Sequence, residues 1–208
     1  MANADSSPSG ERVRSLFRIL ERYFMKRHLK GGALVAPVPA VMVSCGDMEK
    51  SNIITIAWCG ITNTVPPKTY ISVRPERHSY GIIKDSGEFV INLVPRNLAK
   101  TADYCGMFTG RKVDKFQKCA LTKAKAEHVS APLIEECPIN IECKVTDIVK
   151  LGSHDMFLAD IVGVNVDEKL FEGDKICINR AHLCAFAHGE YYELANRLGK
   201  FGFSVKKH

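Results

Sequence analysis

The stretch from Asn52 to Leu93 reads NIITIAWCG (52–60), ITNTVPPK (61–68) and TYISVRPERHSYGIIKDSGEFVINL (69–93). Ile53, Ile54, Ile56 and Trp58 make a strand that is apolar on nearly both faces, so both of its faces are buried. Pro66-Pro67 predicts an extended connection, because a residue before proline is pushed out of the helical region. Thr69 to Val73 is a second strand. Ser79 is placed to cap a short helix holding Tyr80, Ile82 and Ile83, and Ser86-Gly87 ends it. Phe89 to Val94 is a third strand.

Working outward, GGALVAPVPAVMVSCGD (31–47) reads as a strand whose entry is kinked or edge-placed by Pro37 and Pro39. Asn97 is a candidate cap for a second short helix running through Tyr104. Residues 105–118 (CGMFTGRKVDKFQK) read as a basic, glycine-containing loop. Ile139–Val149 and Met156–Val166 read as a hairpin joined at Leu151-Gly152-Ser153-His154. Leu183 to Tyr192 is the last strand, before a short basic tail, GKFGFSVKKH. Six or seven strands with two or three short helices leave no room for repeated helical crossovers. The expected fold is mainly β, an antiparallel sheet closed into a barrel.

The chain has 208 residues, 46% hydrophobic and 25% charged, enough for one sizeable core. No apolar run reaches the roughly 18 residues of a membrane span, and the first ten residues lack a signal-peptide pattern. The net charge of +6 is uneven: residues 1–30 carry +4 and the other 178 residues +2. A nearly balanced body with 8% aromatics argues against nucleic acid as a partner. Residues 1–27 form an N-terminal extension in which Val13, Leu16, Phe17, Leu20, Tyr23 and Phe24 recur at helical spacing among arginines. This is a basic amphipathic helix, and residues 28–208 form the domain. The eight cysteines include no C-x-x-C pair, so no zinc ribbon or ferredoxin-type pattern is present. They read as reduced, buried thiols of a cytoplasmic protein, with a thiol redox sensor as the rival reading.

Chemistry is expected at three places. Arg74 follows a strand, Pro75 fixes the turn, Arg77 follows, and Ser79 opens a helix. Guanidinium groups, a hydroxyl and the free N–H groups of a helix start suit a dianion. The same arginines would equally pair with Glu76 or Asp85 on an ordinary surface. Thr55 to Gly60 alternates small and large residues, which admits a planar ring against the backbone or simply buries Trp58 in the core. Lys115 is either solvated or a phosphate contact, and His154 either a proton donor or a turn residue at the surface. His78, His154, His182 and His188 would have to converge with Cys184 to hold a metal, and no metal site is expected. No G-x-S-x-G, P-loop or G-x-G-x-x-G occurs, so a bound cofactor would carry any redox chemistry.

The runs SNIITIAWCG (51–60), SVRPERHSY (72–80), EFVINL (88–93), TGRKVDKF (109–116) and GSHDMFLAD (152–160) occur in this order, together with residues 31–47. Their joint order resembles the flavin reductase-like FMN-binding split barrels, and most of all the flavoredoxin branch. The resemblance covers residues 28–205. It implies a homodimeric split barrel with one FMN per subunit near the dimer interface. Thr55, Ala57, Trp58 and Cys59 would line the flavin. Ser72, Val73 and Arg74 would contact its ring edge and ribityl-phosphate end. Arg77 and Ser79 would hold phosphate, and Lys115 would reach the same cofactor. Asn92 and the helix start Lys100, Thr101, Ala102 and Asp103 are further candidates, and His154 resembles a family histidine near the open ring face. The implied activity is that of an NAD(P)H-dependent oxidoreductase. It passes hydride and electrons through flavin N5 to a free flavin, a ferric chelate or an iron–sulfur protein. The alternative is a flavoredoxin-type carrier reduced by a protein partner. A phosphate clamp without an adenine pocket leans toward FMN over FAD.

Overall fold

The structure is a computed structural model and describes residues 26–194 and 196–205. Residues 26–34 are exposed and carry no regular secondary structure. The amphipathic helix expected over residues 11–27 lies, apart from its last two positions, outside the described residues. No helix among the described residues is long and apolar enough to cross a membrane.

Fourteen strands are described, in the order β1 (Val38–Pro39), β2 (Val41–Gly46), β3 (Ser51–Ile56), β4 (Cys59–Thr64), β5 (Pro67–Val73), β6 (Glu88–Leu93), β7 (Lys123–Ala124), β8 (Leu133–Ile134), β9 (Ile139–Lys150), β10 (Asp155–Val166), β11 (Phe171–Glu172), β12 (Lys175–Ile176), β13 (Cys184–Ala187) and β14 (Glu190–Glu193). Three short α-helices punctuate them: α1 (His78–Ser86), α2 (Ala99–Met107) and α3 (Lys115–Lys118). Seven strands form one antiparallel sheet in the order β3-β2-β6-β9-β10-β5-β4.

That order contains a geometric demand. β3 and β4 stand at opposite ends of the sheet, yet only Ala57 and Trp58 separate them in the chain. Three Cα steps reach at most about 11 Å, whereas six strand spacings across a flat sheet come to about 29 Å. The sheet must therefore curl until its edges nearly meet. The edges are not paired with each other, so the barrel stays split beside Ala57 and Trp58.

The barrel interior is filled by Val41, Val43, Cys45, Ile54, Ile56, Ile71, Val73, Phe89, Ile91, Cys143 and Phe157, with Ile83 of α1 packed in from one end. The outward face of β2 and β3 is also covered. Met42 and Ile53 pack against Ala102 and Cys105 of α2, Phe116 of α3, and Ile134. β3 is thus buried on both faces, as the isoleucines at 53, 54 and 56 require.

Several local expectations are corrected. Val65-Pro66 is a hairpin turn between β4 and β5, with Pro67 already in β5, rather than an extended link, and β4 itself has no apolar alternation because most of it is exposed. Ser79 does not cap α1: Arg77 holds the cap position without a side-chain bond, and Ser79 lies buried in the first turn. Asn97 sits inside a single 3₁₀ turn, and Leu98 precedes α2. The loop 105–118 ends in α3, capped by Asp114, whose carboxylate accepts from Gln117 N at 3.1 Å. The strand expected over Leu183–Tyr192 is a hairpin instead. His188 and Gly189 between β13 and β14 both have positive φ, 49° and 93°, the backbone of a two-residue primed turn. His188 and Cys184 therefore do not share a strand face.

Asn92, a candidate cofactor contact, is fully buried in a polar knot. Its Nδ2 donates to Met42 O at 2.9 Å and Ser44 Oγ at 3.0 Å, while its Oδ1 accepts from Ile134 N at 3.0 Å and Asn140 Nδ2 at 2.8 Å. It joins β2, β6, β8 and β9. Asn92→Leu would strand a buried backbone N–H and a buried amide, and a loss of about 2–4 kcal/mol in unfolding free energy is expected by urea denaturation of ligand-free protein.

Candidate functional site

The split between the barrel edges opens into a cleft with two lobes that share Ile54, Arg74 and Arg77 on their walls. The larger lobe has a volume of about 350 Å³ and is walled by the start of α1, the end of α2 and the following segment, and Lys115. The smaller, about 190 Å³, is bounded by Thr55 to Trp58, the end of β5 at Ser72 and Val73, His154 and Phe186.

The larger lobe is built by a strand end. β5 stops at Val73, Pro75 turns the chain, and Arg77 N donates back to Arg74 O at 3.0 Å. α1 starts at once, leaving first-turn N–H groups without helical partners. Arg74 lies 3.6 Å from Glu76, but both side chains are more than half exposed, so the pair is weak and screened. Arg77 reaches across the lobe, Nη1 donating to Gly106 O at 3.2 Å. Ser79 Oγ accepts from Asn52 Nδ2 at 2.8 Å. Opposite, Gly110 packs so close to the Asn52 amide that any Cβ there would collide with it.

Lys115 is only 4% exposed, so it is not a solvated surface lysine. Its Nζ donates to Ile53 O and Cys105 O, both at 2.6 Å, pinning β3 to α2. An ammonium has three N–H groups, so one is left beyond those two bonds at the lobe's wall. Burial is the main influence lowering its pKa; the Arg77 charge adds to this while the neighbouring Cys105 thiol opposes it.

The cleft is electropositive. Arg74, Arg77 and Lys115 face a single carboxylate, Glu76, on the larger lobe. Both histidines register the excess. His78 is held below its ordinary pKa by burial first, then by Arg111, Lys115 and Lys50. His154 is held down by burial first and then by Arg74, with Glu76 opposing and Arg77 adding. His154 Nδ1 lies 2.9 Å from Ser153 Oγ. One residue on, the buried Asp155 carboxylate accepts from Tyr80 Oη at 2.6 Å, so the His154 turn is tied to α1.

Among the expected residues, the structure brings Thr55, Ala57, Trp58, Ser72, Val73, Arg74, Arg77, Ser79, Lys115 and His154 to the two lobes. Trp58 is 37% exposed there rather than sealed in the core. The Thr55 hydroxyl also donates to Ala102 O. Cys59, by contrast, turns into the barrel core, where burial pushes its thiol to about 12. Asn92 is held in the knot described above. Lys100, Thr101, Ala102 and Asp103 line neither lobe, and Ala102 O anchors the Thr55 hydroxyl. Residues that sequence reasoning missed are Asn52, Gly106, Phe108, Gly110 and Phe186. Only the glycines left a trace, in C-G-M-F-T-G (105–110). No group of three His, Cys, Asp or Glu among the described residues could hold a metal ion.

The donor set suits a ligand with a phosphate at one end and a flat ring at the other, since cations and a helix start meet a slot walled by small residues and Trp58. Comparison with known proteins follows the same lines. Flavoredoxin of Desulfovibrio vulgaris (Miyazaki F) superposes with a TM-score of 0.81 at 34% identity, covering 88% of this chain and 100% of that one. Flavoredoxin from Methanosarcina acetivorans shares the fold at a TM-score of 0.79 and 24% identity, with coverage of 88% and 100%. The NADPH-flavin oxidoreductase of Streptomyces viridifaciens is 23% identical over 141 residues, 65% of this chain and 70% of that protein. The model of the flavin reductase like domain matches residues 35–195, and the chain belongs to that family of split barrels.

Proposed function

We propose that this chain binds FMN in the two-lobed cleft and acts as a flavin-dependent oxidoreductase of the NAD(P)H:flavin or ferric reductase type. The observation that carries this reading is the convergence of Arg74, Arg77, Lys115 and the start of α1 on one lobe. The adjoining lobe is walled by Thr55, Ala57 and Trp58. Arg74, Arg77 and Ser79 would hold the phosphate. Lys115 would give its remaining N–H and a fixed positive charge that is in place before any ligand arrives. Thr55, Ala57, Trp58, Ser72 and Val73 would line the ring, with Ala57 and Trp58 offering backbone at the split. When bound, the flavin supplies the hydride and electron chemistry. His154, its pKa held low, stays neutral at neutral pH and serves as a hydrogen-bonding wall of the smaller lobe. Phe186 and Trp58 would give that lobe its aromatic walls. The same reading includes a homodimer, NADH or NADPH as a transient donor, and a small-molecule or iron–sulfur acceptor.

A second reading, a flavoredoxin-type carrier reduced by a protein partner, is favoured by the 34% identity to a flavoredoxin against 23% to an NADPH-flavin oxidoreductase. Anaerobic absorbance of FMN-loaded protein separates the two. Bleaching by NADH or NADPH is expected for the reductase. Bleaching by dithionite alone would support the carrier, and no flavin uptake would remove both.

Arg74→Ala and Arg77→Ala are each expected to weaken FMN roughly ten- to a hundredfold, the usual loss of a charge-assisted hydrogen bond, with unfolding midpoints unchanged because both side chains are exposed. Flavin content after gel filtration reads the effect; full retention in both variants would sink the clamp. The pH dependence has a sign. His78 is depressed partly by neighbouring cations, so a bound dianion must raise its pKa. Proton uptake therefore accompanies binding, and affinity rises as pH falls through the histidine's range. NMR titration of His78 with and without FMN checks this.

A further inference from the structure

An apolar groove of about 220 Å³ lies where β1 pairs with β13 and the chain leaves β6. None of its ten lining residues is charged; Pro37, Pro39, Leu93, Leu183 and Leu194 are among its walls. The main chain is fixed to the groove as far as Leu194, whose N–H donates to Leu183 O at 3.1 Å.

Beyond Leu194 the chain is apolar and exposed. Leu198 is 93% exposed, Val205 80%, and Phe201 wholly so. These side chains sit on a formed hook. Gly202 has a φ of 80°, Phe203 N donates to Lys200 O at 2.9 Å, and Val205 N donates to Gly202 O at 3.2 Å. The Phe203 ring lies on Gly199, where an added Cβ would stand 2.5 Å from it. A monomer rarely leaves such a cluster of large apolar side chains in water, and a turn formed beforehand loses little freedom on docking.

We infer that residues 198–205 dock in the apolar groove of a second copy of this chain, the two copies exchanging hooks about a twofold axis. The occupant follows from where hook and groove stand. Leu194 lines the groove, and Leu198 is four Cα steps further on, at most about 15 Å away. Within its own chain the hook lines no part of the groove. A surface that carries a projection beside an apolar recess is self-complementary, so one twofold operation seats both hooks at once. The contact adjoins the cleft, because β13 supplies Ala185 to the groove and Phe186 to the smaller lobe. The inference rests on the homodimer named in the proposed function and not on the flavin.

Sedimentation velocity of the full chain over a concentration series, with and without FMN, tests the contact together with photo-crosslinking. Phe201→Ser and Leu198→Ser are each expected to weaken the dimer roughly tenfold. Both positions are exposed, so the fold and the flavin content should not change. In an equal mixture of unlabelled and isotope-labelled chains, p-benzoylphenylalanine at position 201 should capture residues 37–40 or 183–185 of the other chain, read by mass spectrometry as mixed-label pairs. Capture within one chain only would mean that the hook covers its own groove, and overturns the exchange. An undiminished dimer in both variants, with no capture in the groove, overturns the hook and leaves the homodimer to another surface. A monomer at every concentration overturns the hook and the homodimer, while flavin uptake still decides the flavin reading. If that monomer sediments with phosphatidylserine vesicles, the tail, whose Arg197, Lys200, Lys206 and Lys207 are joined by no acidic residue, serves a lipid surface instead.

Discussion

The two-residue link Ala57-Trp58 is the constraint on which this structure depends. It joins the outermost strands of a seven-stranded sheet, and its reach forces that sheet into a barrel. The two edge strands are nonetheless not paired with each other, so the closure is incomplete at that point. The incomplete closure opens the cleft. Main chain stands at the split; Trp58 O accepts from Ser72 N at 2.8 Å beside the smaller lobe. The fold therefore makes a slot walled by main chain as a direct result of its topology, and side chains need only supply charge and shape.

Charge comes from the next constraint. β5 ends beside the split, and the turn after it sets two arginines at the mouth of α1. The buried ammonium of Lys115 then holds β3 and α2 together through two carbonyls. Its desolvation is offset by those bonds, which are short and charge-assisted. One group thus fixes the wall of the cleft and supplies its field. After burial, the same cations help hold both cleft histidines below their ordinary pKa.

What the sequence disclosed follows from how local each feature is. β3, β9 and β10 were legible because burial imposes apolar patterns that need no knowledge of neighbours. β4 was not, since CGITNT is an exposed strand held by its ladder with β5 rather than by apolar burial. Arg74 and Arg77 were legible as a pair at a strand end. Ser79 was expected at the site for a local reason, capping; it is there for a tertiary one, its bond to Asn52. Asn92 carries the same chemistry as a cofactor contact, but distant partners take up its hydrogen bonds, and no local pattern reveals that. His188 gave no turn signal because histidine seldom adopts the left-handed conformation that Gly189 adopts freely. Lys115 shows the converse: a lysine in a basic run reads as solvated until its two carbonyl partners are known.

The Tyr80–Asp155 hydrogen bond has a mechanical meaning. It tethers the first turn of α1 to the turn that carries His154, so two walls of the cleft, one in each lobe, shift as a single body. The facing wall, residues 106–110, hangs instead on a solvent-exposed arginine contact and on close packing against Asn52. Both walls are thus referred to the barrel, one through the Asp155 carboxylate on β10 and the other through Asn52 on β3, so the width of the cleft follows the spacing of those two strands.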